Sequence, residues 1–164
     1  VDHEPRPEGG AEDGYYLRKD PPYRAANRPF ASPTELRLLK GVDAEGYREL
    51  VPLISTLPRG THLNVNTAPA AVLSGLADGL NSADGRALVE QRLRIGAYEN
   101  VAEFLEQDLL AGKEIVAGLL GVSSEYFAVY SSAGVGRVEA QLVSAISRVA
   151  GENIVVLSRS GGHL

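Results

Sequence analysis

The stretch Leu63-Asn64-Val65-Asn66-Thr67-Ala68-Pro69-Ala70-Ala71-Val72-Leu73 decides the fold of this chain. Its first apolar residues alternate with Asn64 and Asn66, which is the period of a half-buried strand. Thr67 then stands where a helix N-cap belongs, and Pro69 follows in the first turn, where a missing N–H costs nothing. Because asparagine amides are costly to bury without partners, we expect these two to fix a turn through side-chain-to-backbone hydrogen bonds.

Capping signals predict two short helices before this stretch. Ser32-Pro33-Thr34-Glu35 is a capping box with proline at the first helical position, and Gly41 ends the helix that it starts. Asp43 caps a second helix, and Pro52 lies inside the apolar pattern of that helix. A proline there should kink or end it, because its ring removes a hydrogen bond and clashes with the preceding turn.

A second set of helices is predicted after the stretch. Ser82 is the expected cap of a helix that Gly96 closes, and Asn100-Val101-Ala102-Glu103 is another capping-box pattern. We expect one more helix near residues 112–119. Together these signals predict a helical module over residues 32–122.

The apolar pattern changes from helical to alternating near residue 123. Residues 126–130 are aromatic and β-branched, residues 138–146 alternate apolar with polar side chains, and a final strand at 154–157 precedes a polar tail. The fold class is therefore α+β, with a three-stranded antiparallel meander after the helices. Three strands with one apolar face need a helix packed on them, and we expect that helix upstream of Val1.

The composition excludes several classes of function. The chain has 164 residues and a net charge of −5, which argues against a nucleic-acid surface. It has no cysteine, hence no thiolate metal site, and only three histidines. No hydrolase elbow, Walker loop or zinc-protease motif occurs, and no apolar run approaches the roughly 20 residues that span a bilayer. We therefore predict a structural or binding protein and not an enzyme.

Acidic side chains are concentrated at the start of the chain. Five carboxylates fall within the first 13 residues, namely Asp2, Glu4, Glu8, Glu12 and Asp13. The tyrosines that follow indicate a packed loop, in which crowded carboxylates repel each other unless a cation is bound. A hard ion such as calcium takes oxygen ligands and suits this set better than zinc. We predict calcium ligands at Glu12 and Asp13 first and at Asp2 and Glu4 next, with a solvated acidic loop as the alternative.

Several segments taken together resemble one known family. They are Gly10-Ala11-Glu12-Asp13 with Tyr15-Tyr16, residues 22–30 (PYRAANRPF), Ser32 to Gly41, and Asn64 to Ala68. In this combination they resemble the minor pseudopilin K (GspK-like) family of the type II secretion system. The resemblance covers nearly the whole chain, and residues 23–41 joined to 64–68 are its most specific part.

This resemblance implies a fold. Such proteins have an N-terminal transmembrane helix, a pilin-like α/β domain and a large helical insertion. Residues 1–31 would then be an acidic, proline-rich packed loop that ends the first helical module, residues 32–122 a module similar to a sterile-alpha-motif (SAM-like) fold, and residues 123–164 the last strands of the pilin-like domain.

The resemblance also implies a role and partners. It implies a structural subunit at the tip of the pseudopilus, on the periplasmic side of the inner membrane, that helps to start pseudopilus assembly and protein export across the outer membrane. The implied partners are the I-type and J-type minor pseudopilins, with the H type and the exported proteins as further candidates. The family also brings calcium on its helical insertion, where its acidic region matches Gly10 to Asp13.

A helix-hairpin-helix nucleic-acid-binding module is the rival interpretation. The segment from Asn64 to Ala68, the helix after it and residues 100–105 also resemble such modules, which present backbone amides and basic residues to phosphates. Arg86, Arg92 and Arg94 are the available cations. The net charge argues against this alternative, as do the acidic residues of the segment 73–86, which has no glycine-rich hairpin with adjacent lysine or arginine.

Overall fold

A computed structural model describes residues 11–148 and 153–161 of the chain. The chain separates into two compact units, Val1–Thr56 and Leu57–Leu164. Of the four predicted calcium ligands, Asp2 and Glu4 lie outside the described residues. The predicted boundaries at residues 31 and 122 remain predictions.

The first unit consists of short helices. Helix α1 is Asp13–Tyr16, a 3₁₀ helix is Pro33–Leu38, α2 is Ala44–Leu50, and a second 3₁₀ helix is Val51–Leu53. The capping box before the first 3₁₀ helix and the aspartate cap of α2 are both present, as predicted. The tight 3₁₀ turn that contains Pro52 ends α2, which confirms the predicted break.

The second unit begins with helices around a small parallel strand pair. Strand β1 is Leu63–Asn64, α3 is Ala70–Leu73, α4 is Ser82–Ile95, α5 is Val101–Leu105, and β2 is Leu120–Gly121. Two 3₁₀ helices, Asp108–Leu110 and Ala117–Leu119, lie between α5 and β2. β1 pairs with β2 in parallel, so the first and last segments of this helical region are joined side by side.

Three details of the helical prediction are wrong. The N-cap of α3 is Pro69 and not Thr67, because the two asparagines first form a separate turn. Asn81, one residue before Ser82, caps α4, and its side chain accepts hydrogen bonds from two amides of the first turn. The expected helix near 112–119 is only the three-residue 3₁₀ helix Ala117–Leu119, in a segment where glycines at 112 and 118 disfavour a longer helix.

The second unit ends in an antiparallel meander. Strands β3, Tyr126–Val135, β4, Val138–Ser147, and β5, Val155–Gly161, are ordered β3-β4-β5. The predicted helices followed by antiparallel strands are thus confirmed. β5 runs to Gly161, so part of the segment predicted to be a polar tail is strand. A register shift at Ala145/Ile146 interrupts the pairing of β4 with β5.

The core of the second unit lies among its helices and its small strand pair. Side chains from α3, α4, α5 and the segments around them are buried together there: Val65, Ala68, Leu73, Leu88, Tyr98, Phe104, Leu110 and Leu120. The rings of Tyr98 and Phe104 meet edge to face with centroids 5.2 Å apart. Within the described ranges, none of the helices is long and apolar enough to cross a membrane.

Candidate functional site

The two asparagines of the central stretch organise the helical part of the second unit. The Asn64 side-chain oxygen accepts from the Asn66 amide at 2.9 Å, which closes a local turn. The Asn66 side chain donates to the carbonyls of Tyr98 and Val122, at 2.9 and 3.1 Å, and accepts from the Tyr98 amide at 2.9 Å. The prediction that these asparagines fix a turn through side-chain-to-backbone hydrogen bonds is confirmed.

Arg92, on α4, also holds this turn. One nitrogen of its guanidinium, Nη1, donates to the carbonyls of Val65 and Ala68, at 2.8 and 2.9 Å. This arginine was one of the three cations available to a nucleic-acid-binding interpretation. Arg86 likewise donates to the Ser82 carbonyl on its own helix. One of the three cations, Arg92, is therefore engaged inside the protein, whereas Arg86 and Arg94 remain exposed on α4.

The predicted calcium ligands that can be examined lie at the start of α1. One carboxylate oxygen of Asp13 accepts from the Ala25 amide at 2.8 Å, while the Glu12 side chain makes no capping hydrogen bond. Both side chains are half-buried. Within residues 11–148 and 153–161, no three His, Cys, Asp or Glu side chains come together in a way that could hold a metal. The structure thus describes two adjacent hard-oxygen donors and leaves the predicted set of four untested.

Tyrosines pack behind this acidic pair. Tyr16 is buried, its ring stacks on Tyr23 with centroids 5.1 Å apart, and Tyr15 meets Tyr16 edge to face at 5.2 Å. The Tyr23 hydroxyl donates to the Leu38 carbonyl at 2.7 Å. These contacts attach the segment after α1 to the 3₁₀ helix Pro33–Leu38.

One face of the meander is mainly apolar. Residues paired across antiparallel strands share a face, so the strand register assigns these apolar residues to it: Phe127, Val129, Ala133, Val135, Val138, Ala140, Leu142, Ile146 and Val156. Ser131, Ser144 and Arg159 are polar residues on the same face. The predicted alternation along β4 is confirmed by this register. Val135 and Val138 are 83% and 73% exposed, so the apolar face is uncovered at the tip of the β3–β4 hairpin.

Comparison with known proteins decides the family. Two family models, both described as Type II secretion system (T2SS), protein K, match residues 1–59 and 63–123. The chain belongs to the type II secretion system protein K family. The resemblance found in the sequence is thereby confirmed, and the family is a structural component of the secretion system.

Known relatives cover nearly the whole chain. The type II secretion system protein K of Pseudomonas aeruginosa is 37% identical over 99% of this chain, and that of Klebsiella pneumoniae is 35% identical over 85%. The chain spans about half the length of these relatives, 48% and 44% respectively.

A solved structure shows the same fold. It is the crystal structure of the GspK-GspI-GspJ complex from the enterotoxigenic Escherichia coli Type 2 Secretion System. A chain of that complex matches 100% of this chain at 32% identity with a TM-score of 0.84, and 60% of that chain is covered.

Sequence reasoning missed two features of these sites. The double hydrogen bond of Arg92 to the central turn carries no local signal, since its acceptors are 24 and 27 positions away. The convergence of Lys19 and Lys40 on the ring of Tyr15 was also missed. The density of tyrosines in this segment was the available hint, because tyrosine rings attract lysine ammonium groups.

Proposed function

We propose that this protein is a minor pseudopilin at the tip of the type II secretion pseudopilus. In this role it helps to start pseudopilus assembly and thereby supports export of proteins across the outer membrane. The observation that carries the proposal is the match of the whole chain, with a TM-score of 0.84, to a chain of a GspK-GspI-GspJ complex. A role in assembly without catalysis also agrees with a family that is a structural component.

The surfaces of the strands and of the helices suggest different roles for them. The meander has a mainly apolar face that is exposed at its hairpin tip, and a sheet of this kind is stabilised by a helix packed on it. We propose that residues 123–164 are pilin-like strands covered by a helix from upstream of Val1. The SAM-like helical module then remains uncovered by the filament and forms the cap.

The partners that this role requires are the I-type and J-type minor pseudopilins, with the H type as a further candidate. The same upstream helix would anchor the protein in the inner membrane and leave the two units described here in the periplasm.

Co-purification tests this proposal. The complete periplasmic domain, mixed with the soluble domains of the I-type and J-type partners, should elute with them in stoichiometric amounts from a size-exclusion column. Elution of each protein alone at micromolar concentrations would contradict the proposed role.

Calcium is the second part of the proposal. Glu12 and Asp13 are adjacent oxygen donors of the kind that calcium prefers, and a carboxylate that accepts one hydrogen bond keeps further lone pairs for an ion. Asp2 and Glu4 would complete the set. Bound calcium would neutralise the crowded carboxylates and hold the start of α1 against the segment that contains Ala25.

Melting curves in EDTA and in millimolar calcium test this site. An ion that binds only the folded state raises the melting temperature by mass action, so calcium should stabilise the protein. The variant Glu12→Ala/Asp13→Ala should lose this response, whereas Glu90→Ala, which removes an exposed carboxylate from α4, should keep it. Coincident curves for the unaltered protein would refute the calcium site.

A further inference from the structure

Two adjoining cavities form a groove in the first unit. Their volumes are about 380 and 390 Å³, and they share Tyr23, Leu38, Leu39 and Lys40 in their walls. Tyr23 lies between α1 and the first 3₁₀ helix, Leu38 ends that helix, and Leu39 and Lys40 follow it directly. We call this feature the basic groove. Each cavity is within the size range of natural ligand sites, which is roughly 300 to 1,000 Å³.

The basic groove is positively charged in a chain that is negative overall. Five basic side chains line it, against three carboxylates, while the net charge of the chain is −5. The basic ones are Lys19, Arg24, Arg28, Arg37 and Lys40. Between residues 11 and 148 and from 153 to 161, the sole salt bridge joins Arg28 to Glu35 at 3.0 Å. The other four cations have no carboxylate partner among those residues, so the groove is complementary to negative charge.

Two of these cations are fixed on one aromatic ring. The ammonium groups of Lys19 and Lys40 lie 4.7 and 5.2 Å from the centroid of the Tyr15 ring. Tyr15 raises the pKa of Lys19, first through a side-chain hydrogen bond and then through Coulombic attraction. The guanidinium of Arg37 lies 5.6 Å from the ring centroid of Tyr47. Aromatic rings thus restrict three cations along one side of the groove.

Apolar side chains lie between the cations. Leu38 is 51% exposed and Leu39 is 38% exposed, in the part of the wall that both cavities share. The Tyr23 hydroxyl holds the Leu38 carbonyl at 2.7 Å, so the backbone that presents these leucines is fixed. A ligand that fills the groove therefore meets cations in each cavity, and the two leucines beside Lys40 where the cavities meet.

We propose that the basic groove binds an extended acidic peptide segment of a partner protein, with carboxylates on either side of an apolar side chain. Carboxylates would pair with Lys19 in one cavity, with Arg24 in the other and with Lys40 where the two cavities meet, and the apolar side chain would lie on Leu38 and Leu39. A small inorganic anion would use the cations and leave the leucines uncovered. The apolar wall therefore favours a peptide.

Fluorescence anisotropy with the 164-residue chain tests the proposal. The probe is a fluorescein-labelled ten-residue peptide in which Asp and Glu flank a central pair of Leu and Phe. Its amide counterpart has Asn and Gln at the acidic positions. Lys19→Gln/Lys40→Gln removes two groove cations, and Arg59→Gln/Arg137→Gln is the matched control, because it removes the same charge from exposed residues outside the groove. Melting curves of both variants verify that they are folded.

The expected result is saturable binding of the acidic peptide that weakens roughly tenfold in Lys19→Gln/Lys40→Gln, the sum of two exposed ion pairs. The control variant should bind like the unaltered protein, and Leu38→Gln should also weaken binding. Equal binding of the amide peptide, or equal loss in the two charge variants, would overturn the proposal. Displacement of the peptide by equimolar inorganic phosphate would overturn it as well, since it would identify a simple anion site.

Discussion

Replacement of Asn66 by alanine removes three hydrogen bonds at once. The side chain serves the amide and carbonyl of Tyr98 and the carbonyl of Val122, at distances between 2.9 and 3.1 Å. A net contribution of about 1 kcal/mol for each bond gives a loss of about 3 kcal/mol in the free energy of unfolding. Since Asn66 is half-buried, water can reach part of the site, which keeps the loss near this sum. The melting temperature should fall by roughly 10 °C.

Urea unfolding followed by circular dichroism measures this loss. Asn100→Ala is the matched control, because the Asn100 side chain caps α5 with one hydrogen bond, to the Glu103 amide at 3.0 Å, and should cost about 1 kcal/mol. Asn66→Asp keeps the acceptor for the Tyr98 amide but turns an oxygen toward two carbonyls. That variant should be unstable at neutral pH and should recover partly in acid, where a protonated carboxyl can donate. If Asn66→Ala costs no more than Asn100→Ala, the central role of this amide is refuted.

Three further predictions concern single side chains, and a fourth concerns the net charge of the chain. Gly85→Ala should destabilise by about 2 kcal/mol, because its new Cβ would lie 2.2 Å from the Ala70 carbonyl oxygen and overpacking outweighs the better helix propensity; Gly118→Ala, with open space, should be neutral in the same unfolding assay. Tyr98→Phe should leave the melting temperature unchanged or raise it, since among the residues with described positions the buried Tyr98 hydroxyl has no hydrogen-bond partner. Hydrogen bonds from the Ala31 amide, outweighing desolvation, and then from the Ser32 amide hold the pKa of Glu35 below its ordinary 4.5. The stability that Glu35 provides is therefore present above that value and lost as pH falls below it, so unfolding of Glu35→Gln and of the unaltered protein should converge in acid. A gel-shift titration at low salt should show no salt-sensitive duplex binding, and micromolar binding that weakens steeply with salt would contradict this expectation.

Local sequence signals were sufficient to predict the elements that are determined by neighbouring residues in the chain. The capping box at Ser32 and the alternation along β4 are both set by side chains within a few positions, and both are present. The helix expected near 112–119 was wrong because backbone freedom at the glycines at 112 and 118 opposes a helix of that length. Thr67 was wrongly assigned as the cap of α3. Asparagine and threonine favour both turns and helix caps, and here they belong to the turn that Asn64 closes before α3 begins.

Features that join distant segments were less accessible to sequence reasoning. The need of Asn66 for partners was predicted, but the identity of those partners was not, since Tyr98 and Val122 are set by the fold. The basic groove was missed for the same reason. Lys19 and Lys40 are 21 positions apart, and only the packing of α1 and the 3₁₀ helix brings both to Tyr15.

The hydrogen bonds of Asn66 also have a consequence for the order in which the second unit folds. They span 32 and 56 positions, so large loops must close before this amide is satisfied. Closing such a loop costs chain entropy before the stabilising contacts have formed, and this slows folding. On the ribosome, the Asn66 side chain would lack its hydrogen bond to the Val122 carbonyl until residue 122 has emerged. The helices between residues 66 and 122 should then become stable only after the whole of this segment has been synthesised.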